Sequence, residues 1–134
     1  MPSVRASHRA RCWLAGIVVC LGVTSALAAP RAPASLPDAE THVYRELQPE
    51  PLRLHVFKPQ GWARDDRRPA LVYFFGGGFV RGTPENSAGN ARLAAKWGMV
   101  GIVPDYRTAE RFGTHVGEAV ADARAALRWV QEHV

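Results

Sequence analysis

The 134-residue sequence has only two cysteines, Cys12 and Cys20, and both sit near its start. Beyond Cys20 the chain can form no disulfide, bind no metal through thiolate and use no thiol nucleophile. Serine is scarce as well: after residue 28 only Ser35 and Ser87 occur. Neither stands in a G-x-S-x-G elbow, the strand-to-helix turn that presents a catalytic serine, and the chain contains no such elbow. An H-E-x-x-H zinc pair and the Gly-Lys-Ser/Thr of a phosphate loop are also missing. His42, His55, His115 and His133 are isolated along the sequence. No metal and no organic cofactor is implied. The chain has no internal repeat, and no apolar run reaches the roughly 20 residues of a comfortable membrane span.

The basic balance has a local origin. Arg5, Arg9 and Arg11 precede the short apolar run 12–23, and Ala26-Leu27-Ala28 follows it. A basic start, an apolar stretch and an A-x-A end describe a secretory signal peptide. The expected organisation is therefore a signal peptide over 1–28, a flexible Pro/Ala leader over 29–40 and a folded part over 41–134. Cleavage after Ala28 would remove three arginines and no acid, and lower the formal charge from +5 to +2. A near-neutral chain without a basic stripe does not point to nucleic acid. The expected location is the periplasm or the extracellular space, with no stable membrane anchor after cleavage. The oligomeric state is not legible.

Within the folded part, 43–47 and the alternating 52–57 predict two strands of a hairpin, with the Gln48-Pro49-Glu50-Pro51 turn between them. The apolar run 70–75 predicts a strand buried on both faces. It ends in Gly76-Gly77-Gly78. Thr83-Pro84 predicts a helix start, with Thr83 as the cap, and Gly98 a helix end. The run 99–103 predicts a second buried strand, parallel to the first across a right-handed crossover. Residues 105–113 read as a loop. Thr114 could cap a last helix whose apolar stripe is Val116, Val120, Ala123, Leu127 and Val130. Nothing terminates that helix before Val134, so the ending reads as an interruption.

Three glycines after a buried strand let a ligand approach bare backbone N–H groups. Acyl transfer needs such donors, because the carbonyl oxygen becomes an oxyanion in the transition state. The other partner, phosphate, is disfavoured, since a dinucleotide fingerprint would need glycine where Arg81 stands.

The segment from Val72 through Gly76-Gly77-Gly78 to Gly82 resembles the His-Gly-Gly-Gly oxyanion segment of the hormone-sensitive-lipase-like esterases. It is more similar still to secreted α/β hydrolases that write it Phe-Phe-Gly-Gly-Gly-Trp. Asp105-Tyr106-Arg107 resembles the family's Asp-Tyr-Arg segment. Asp122-Ala123 with 127–130 resembles the helix before the nucleophile strand. The three motifs occur in order over nearly the whole of 44–134. The resemblance implies an α/β fold: the N-terminal half of an α/β-hydrolase, a hairpin plus a parallel β-α-β-α unit in a three-layer sandwich.

The resemblance further implies a secreted serine carboxylesterase acting on small acyl esters, acetylated sugars among them. Gly77 and Gly78 would supply oxyanion N–H groups, Gly76 would shape the loop, and Phe79 and Val80 would line the acyl pocket. Phe75 replaces the family's loop-steadying histidine, so loop rigidity must come from packing. Asp105 and Asp122 precede any nucleophile, against the Ser, acid, His order of this fold, and are expected to be structural. The nucleophile, acid and base would lie beyond Val134, and the 134-residue chain alone is expected to be inactive and unstable. A serine peptidase of the same fold and a non-catalytic exported binding scaffold or remnant are the competing readings.

Overall fold

The computed structural model describes residues 30–134, so the expected signal peptide lies outside the described residues. Seven elements follow in order: β1 (Glu40–Arg45), β2 (Leu52–Phe57), β3 (Ala70–Val72), α1 (Glu85–Lys96), β4 (Val100–Pro104), α2 (Ala109–Phe112) and α3 (Val116–His133). The four strands form one sheet in the order β1-β2-β4-β3. β1 and β2 form the expected antiparallel hairpin. β2 pairs antiparallel with β4, Val56 opposite Ile102. β3 pairs parallel with β4, Val72 opposite Ile102.

Strand alternation splits the core into two layers. On the α1 side Phe57 and Val103 pack with Ala88 and Ala91, and Leu36 joins them. On the α3 side Leu54, Val56, Val100 and Ile102 pack with Val130. Helices on both faces of a sheet give the three-layer arrangement. The segment expected to be a flexible leader thus contributes a buried leucine, and its Pro37 carbonyl accepts a bond from Arg92 at 3.1 Å.

The structure corrects five local readings, the first being that 105–113, read as a loop, contains the one-turn helix α2 at Ala109–Phe112. β3 covers only Ala70–Val72 of the expected 70–75 and is the outermost strand among the described residues, where Leu71 is 37% exposed. Thr83 does not cap α1 with its side chain; its N–H donates to Asn86 Oδ1 at 2.9 Å instead. His115, not Thr114, precedes α3, and its N–H donates to Glu118 Oε2 at 3.1 Å. The buried stripe of α3 is Ala119, Asp122, Ala126 and Val130, whereas Val116, Val120 and Leu127 are exposed. Periodicity alone placed the valines inward. The face of α3 toward the described sheet is instead the one that carries Asp122, which accepts from Arg45 and Arg107. The expected helix end at Gly98 is present, with φ of +84°.

Two features of this core carry measurable consequences. A Cβ on Gly101 would overlap the Ala91 carbonyl of α1, where neither strand nor helix backbone can yield cheaply. Gly101→Ala is expected to cost about 3 kcal/mol, the upper range of overpacking, as measured by urea unfolding. His55 on β2 is fully buried. Its Nδ1 faces Thr41 Oγ1 at 2.9 Å, and its Nε2 has no partner among the described residues. Burial, aided by the Arg53 charge, lowers its pKa from 6.5 to about 4. The unfolded chain therefore takes up a proton below pH 6.5 that the folded chain refuses until about pH 4. Stability contributed by this site is complete above 6.5 and falls through that window by about 3 kcal/mol. Unfolding curves at pH 7 and 4.5 should show a larger drop for the wild type than for His55→Asn; equal drops would remove His55 from the account.

Candidate active site

The chain leaves β3 through one more ladder bond, Tyr73 N–H to the Ile102 carbonyl at 2.8 Å. It then passes through Phe74 and Phe75 into the three glycines. Gly77 has φ of +140° and Gly78 of +62°, conformations that disfavour a side chain. The N–H groups of Val80 and Arg81 both turn back onto the Gly77 carbonyl, at 3.1 and 3.3 Å. A Cβ on Gly77 would overlap the Arg81 carbonyl. Gly76 meets nothing within 4 Å at its Cβ position, so the steric demand for glycine falls on Gly77. Phe79 also has positive φ, 64°. Such a residue needs surroundings that fix it, and α2 supplies them: Ala109 N–H donates to the Phe79 carbonyl and Glu110 N–H to the Val80 carbonyl, both at 3.0 Å.

Before the glycines, Phe75 is buried and stacks on Tyr106, ring centroids 4.1 Å apart and planes 12° from parallel. The Tyr106 hydroxyl donates to the Phe75 carbonyl at 2.5 Å. Packing thus steadies the loop at the position where the family carries histidine, and a hydrogen bond that composition did not reveal adds to it. Burial, with the Asp105 charge, raises the Tyr106 phenol pKa above its ordinary value.

No hydrogen bond among the described residues is donated by the N–H of Gly76, Gly77, Gly78 or Phe79. These groups border a groove of ≈ 240 Å³ whose other walls are Phe74, Phe75, Tyr106 and, from α3, Ala119, Val120 and Ala123. Phe79 lines the groove. Val80 is half exposed and is not among its lining residues. Among the described residues no charged side chain lines the groove. Bare donors beside an apolar, shallow groove suit an oxygen that gains negative charge next to a short hydrocarbon tail.

Both nearby carboxylates are fully engaged elsewhere. Asp122 accepts from Arg45 Nη1 at 2.6 Å, from Arg107 Nε and Nη2 at 2.7 and 3.0 Å, and from Arg107 N–H at 3.1 Å. Asp105 accepts a two-pronged contact from Arg111, Nη1 and Nη2 each at 2.7 Å, and the Tyr106 N–H at 2.9 Å. Burial pushes the Asp105 carboxyl up, against the pull of Arg111. Their expected structural roles fit this geometry, with Arg111 as the partner of Asp105. Sequence reading missed Arg111, Glu50 and Arg45. Glu50 and Arg111 meet across 61 residues, and no local pattern signals such a pair. Among the described residues no three His, Cys, Asp or Glu side chains converge as metal ligands would, and no helix is long and apolar enough to cross a membrane.

The model of the carboxylesterase family matches residues 25–134. Among curated proteins, Esterase LipI of Mycobacterium tuberculosis is 34% identical over 84 residues, 62% of this chain and 26% of that protein. Lipase 2 of Geotrichum candidum is 31% identical over 97 residues, 62% of this chain and 17% of that protein. The chain thus spans about a quarter or less of these relatives. Among solved structures, the propionate-bound esterase of Thermogutta terrifontis superposes with a TM-score of 0.70 at 41% identity, over 72% of this chain and 36% of that one. The same esterase phosphorylated by paraoxon gives 0.72 at 40% identity, over 78% of this chain and 40% of that one.

Proposed function

The chain belongs to the carboxylesterase family, and we propose that it forms the oxyanion-binding part of a secreted serine hydrolase of small carboxylic esters. The observation that carries this reading is the pair of unengaged N–H groups on Gly77 and Gly78, held by the Gly77–Arg81 turn at the rim of an apolar groove.

In the proposed reaction a serine Oγ outside this chain attacks the ester carbonyl carbon while a histidine takes its proton. The carbonyl oxygen acquires the negative charge and points at Gly77 and Gly78. The tetrahedral intermediate collapses, the alcohol leaves with the proton, and water repeats the sequence on the acyl-enzyme. Each N–H donor contributes about 3 kcal/mol at the transition state. Small residues on the α3 side of the groove and the propionate found in the Thermogutta esterase both support a short acyl group. Acetylated sugars belong to the substrate class on analogy with similar secreted hydrolases. The signal-like 1–28 supports export.

The test is hydrolysis of p-nitrophenyl acetate, butyrate and decanoate by the native gene product, with a proline-containing peptide alongside. The expected order is acetate and butyrate well above decanoate, with no peptide cleavage. Cleavage of the peptide alone would replace the esterase by a peptidase, and stable folding with no turnover of any substrate would favour a binding scaffold.

A further inference from the structure

We propose that Arg111 is a positioning residue for the glycine loop, acting through α2. This deepens the oxyanion reading of Gly77 and Gly78 and rests on it.

Arg111 is almost fully buried, with 2% of its side chain exposed. Its guanidinium spends two nitrogens on Asp105, each at 2.7 Å, and reaches Glu50 Oε1 from Nε at 2.9 Å and from Nη2 at 2.8 Å. Asp105 follows the end of central strand β4, and its N–H is bonded to the Arg53 carbonyl of β2 at 2.7 Å. Glu50 lies in the β1–β2 turn. The guanidinium therefore ties the four-residue α2 to two fixed points of the sheet. A helix of one turn has almost no stability of its own, so this anchor decides where its backbone sits.

The backbone of α2 then holds the loop. Ala109 and Glu110 donate to the carbonyls of Phe79 and Val80, immediately after the glycines. On the other side of the glycines, Tyr106 donates to the Phe75 carbonyl, and Asp105 fixes Tyr106 through its N–H. Asp105 thus serves both clamps, and Arg111 is the part that reaches the second. Gly76, Gly77 and Gly78 lie between the two clamped carbonyl positions, and among the described residues their N–H groups donate no hydrogen bond. The Gly77–Arg81 turn fixes the shape of the glycines and the two clamps fix where that turn sits, and a shift of about 1 Å there would misalign the donors.

Four amides report the clamp directly: Val80 and Arg81, bonded to Gly77, and Ala109 and Glu110, bonded to the loop carbonyls. Hydrogen exchange at these amides is measured in the native product for Arg111→Met, with Val56→Ala as a comparably destabilised control in β2. In Arg111→Met all four are expected to exchange at least tenfold faster than in the control. Hydrolysis of p-nitrophenyl acetate is expected to lose tenfold or more in kcat with KM within twofold. Arg111→Lys keeps the charge but loses the fork, and should recover only part of both. Wild-type exchange at the four amides in Arg111→Met overturns the proposal, as does exchange equal to that of Val56→Ala. If Arg111→Met does not fold, Glu50→Gln leaves the Asp105 fork intact and should raise exchange several-fold; no rise there overturns it equally. A native product that hydrolyses no ester would sink the esterase reading, while the exchange data would still decide the clamp.

Discussion

Gly77→Ala is expected to lower kcat of the native product on p-nitrophenyl acetate by two to three orders of magnitude, with a much smaller change in KM. The reason is geometric. The new Cβ would occupy the position of the Arg81 carbonyl oxygen, and φ of +140° lies outside the range of an alanine. The turn must open, and the Val80 and Arg81 bonds to the Gly77 carbonyl open with it. The Gly77 and Gly78 N–H groups then no longer converge on one point. Losing one such donor costs about 3 kcal/mol at the transition state, a factor of 10²–10³. The ground-state ester, neutral at its carbonyl, feels far less of this, which is why KM changes little. Gly76→Ala makes the informative contrast. Its Cβ would meet nothing within 4 Å, and it should lose no more than about tenfold, a bound set by losing less than half of one donor's contribution. Equal losses in the two variants would mean that the Gly77–Arg81 turn is not what aligns the donors.

The second large effect is on stability. Asp122→Ala is expected to remove about 3 kcal/mol, the low end of the cost of breaking a buried ion pair, because the guanidinium groups left behind keep part of their solvent, Arg45 at 36% and Arg107 at 16% exposure. The carboxylate is fully buried and accepts four hydrogen bonds from two arginines. One arginine belongs to β1 and the other follows β4, so Asp122 binds α3 to two strands at once. Its loss should lower the melting temperature on the order of 20 °C for a domain of this size, read by calorimetry at pH 7. Asp122→Asn keeps the shape but cannot answer both guanidinium groups, and should recover less than half of the loss. Raising salt to 1 M should change the wild-type value little, because a buried pair is poorly screened. The Lys58–Glu40 pair, with Glu40 half exposed, is the opposite case, and Glu40→Gln should fall within about 1 kcal/mol of wild type.

The contrast between Asp122 and the valines of α3 also marks what the sequence could and could not reveal. The β3-glycine-α1-β4 unit was legible because its signals are local: an apolar run, a glycine triplet, a proline before a helix and Gly98 after it. The rotation of α3 was not. Val116, Val120 and Leu127 satisfy a helical period as well as the set that faces the described sheet does, and the contacts that mark that set, Arg45 and Arg107 on Asp122, come from elsewhere in the chain. α2 escaped notice because four residues carry no periodicity, and Arg111 because its partner Glu50 stands in a turn 61 residues earlier. The glycine loop was found by its composition, which does not tell that a Cβ would clash at Gly77 and meet open space at Gly76. The loop's rigidity was expected from packing of Phe75, and the Tyr106 ring supplies that packing. The hydroxyl bond to the Phe75 carbonyl has no sequence signature, since any tyrosine at that position reads alike.

The central proposal is that Gly77 and Gly78 serve a serine nucleophile, for which residues 1–134 hold no G-x-S-x-G elbow. Paraoxon, which phosphorylates the similar Thermogutta esterase, tests it most directly. The native product is treated with paraoxon and the modified residue is located by peptide mass spectrometry. The account predicts a single phosphorylated serine within a G-x-S-x-G segment outside residues 1–134, with hydrolysis abolished in proportion to labelling. No label on a folded native product, or a label on Ser87 with activity lost, would contradict it.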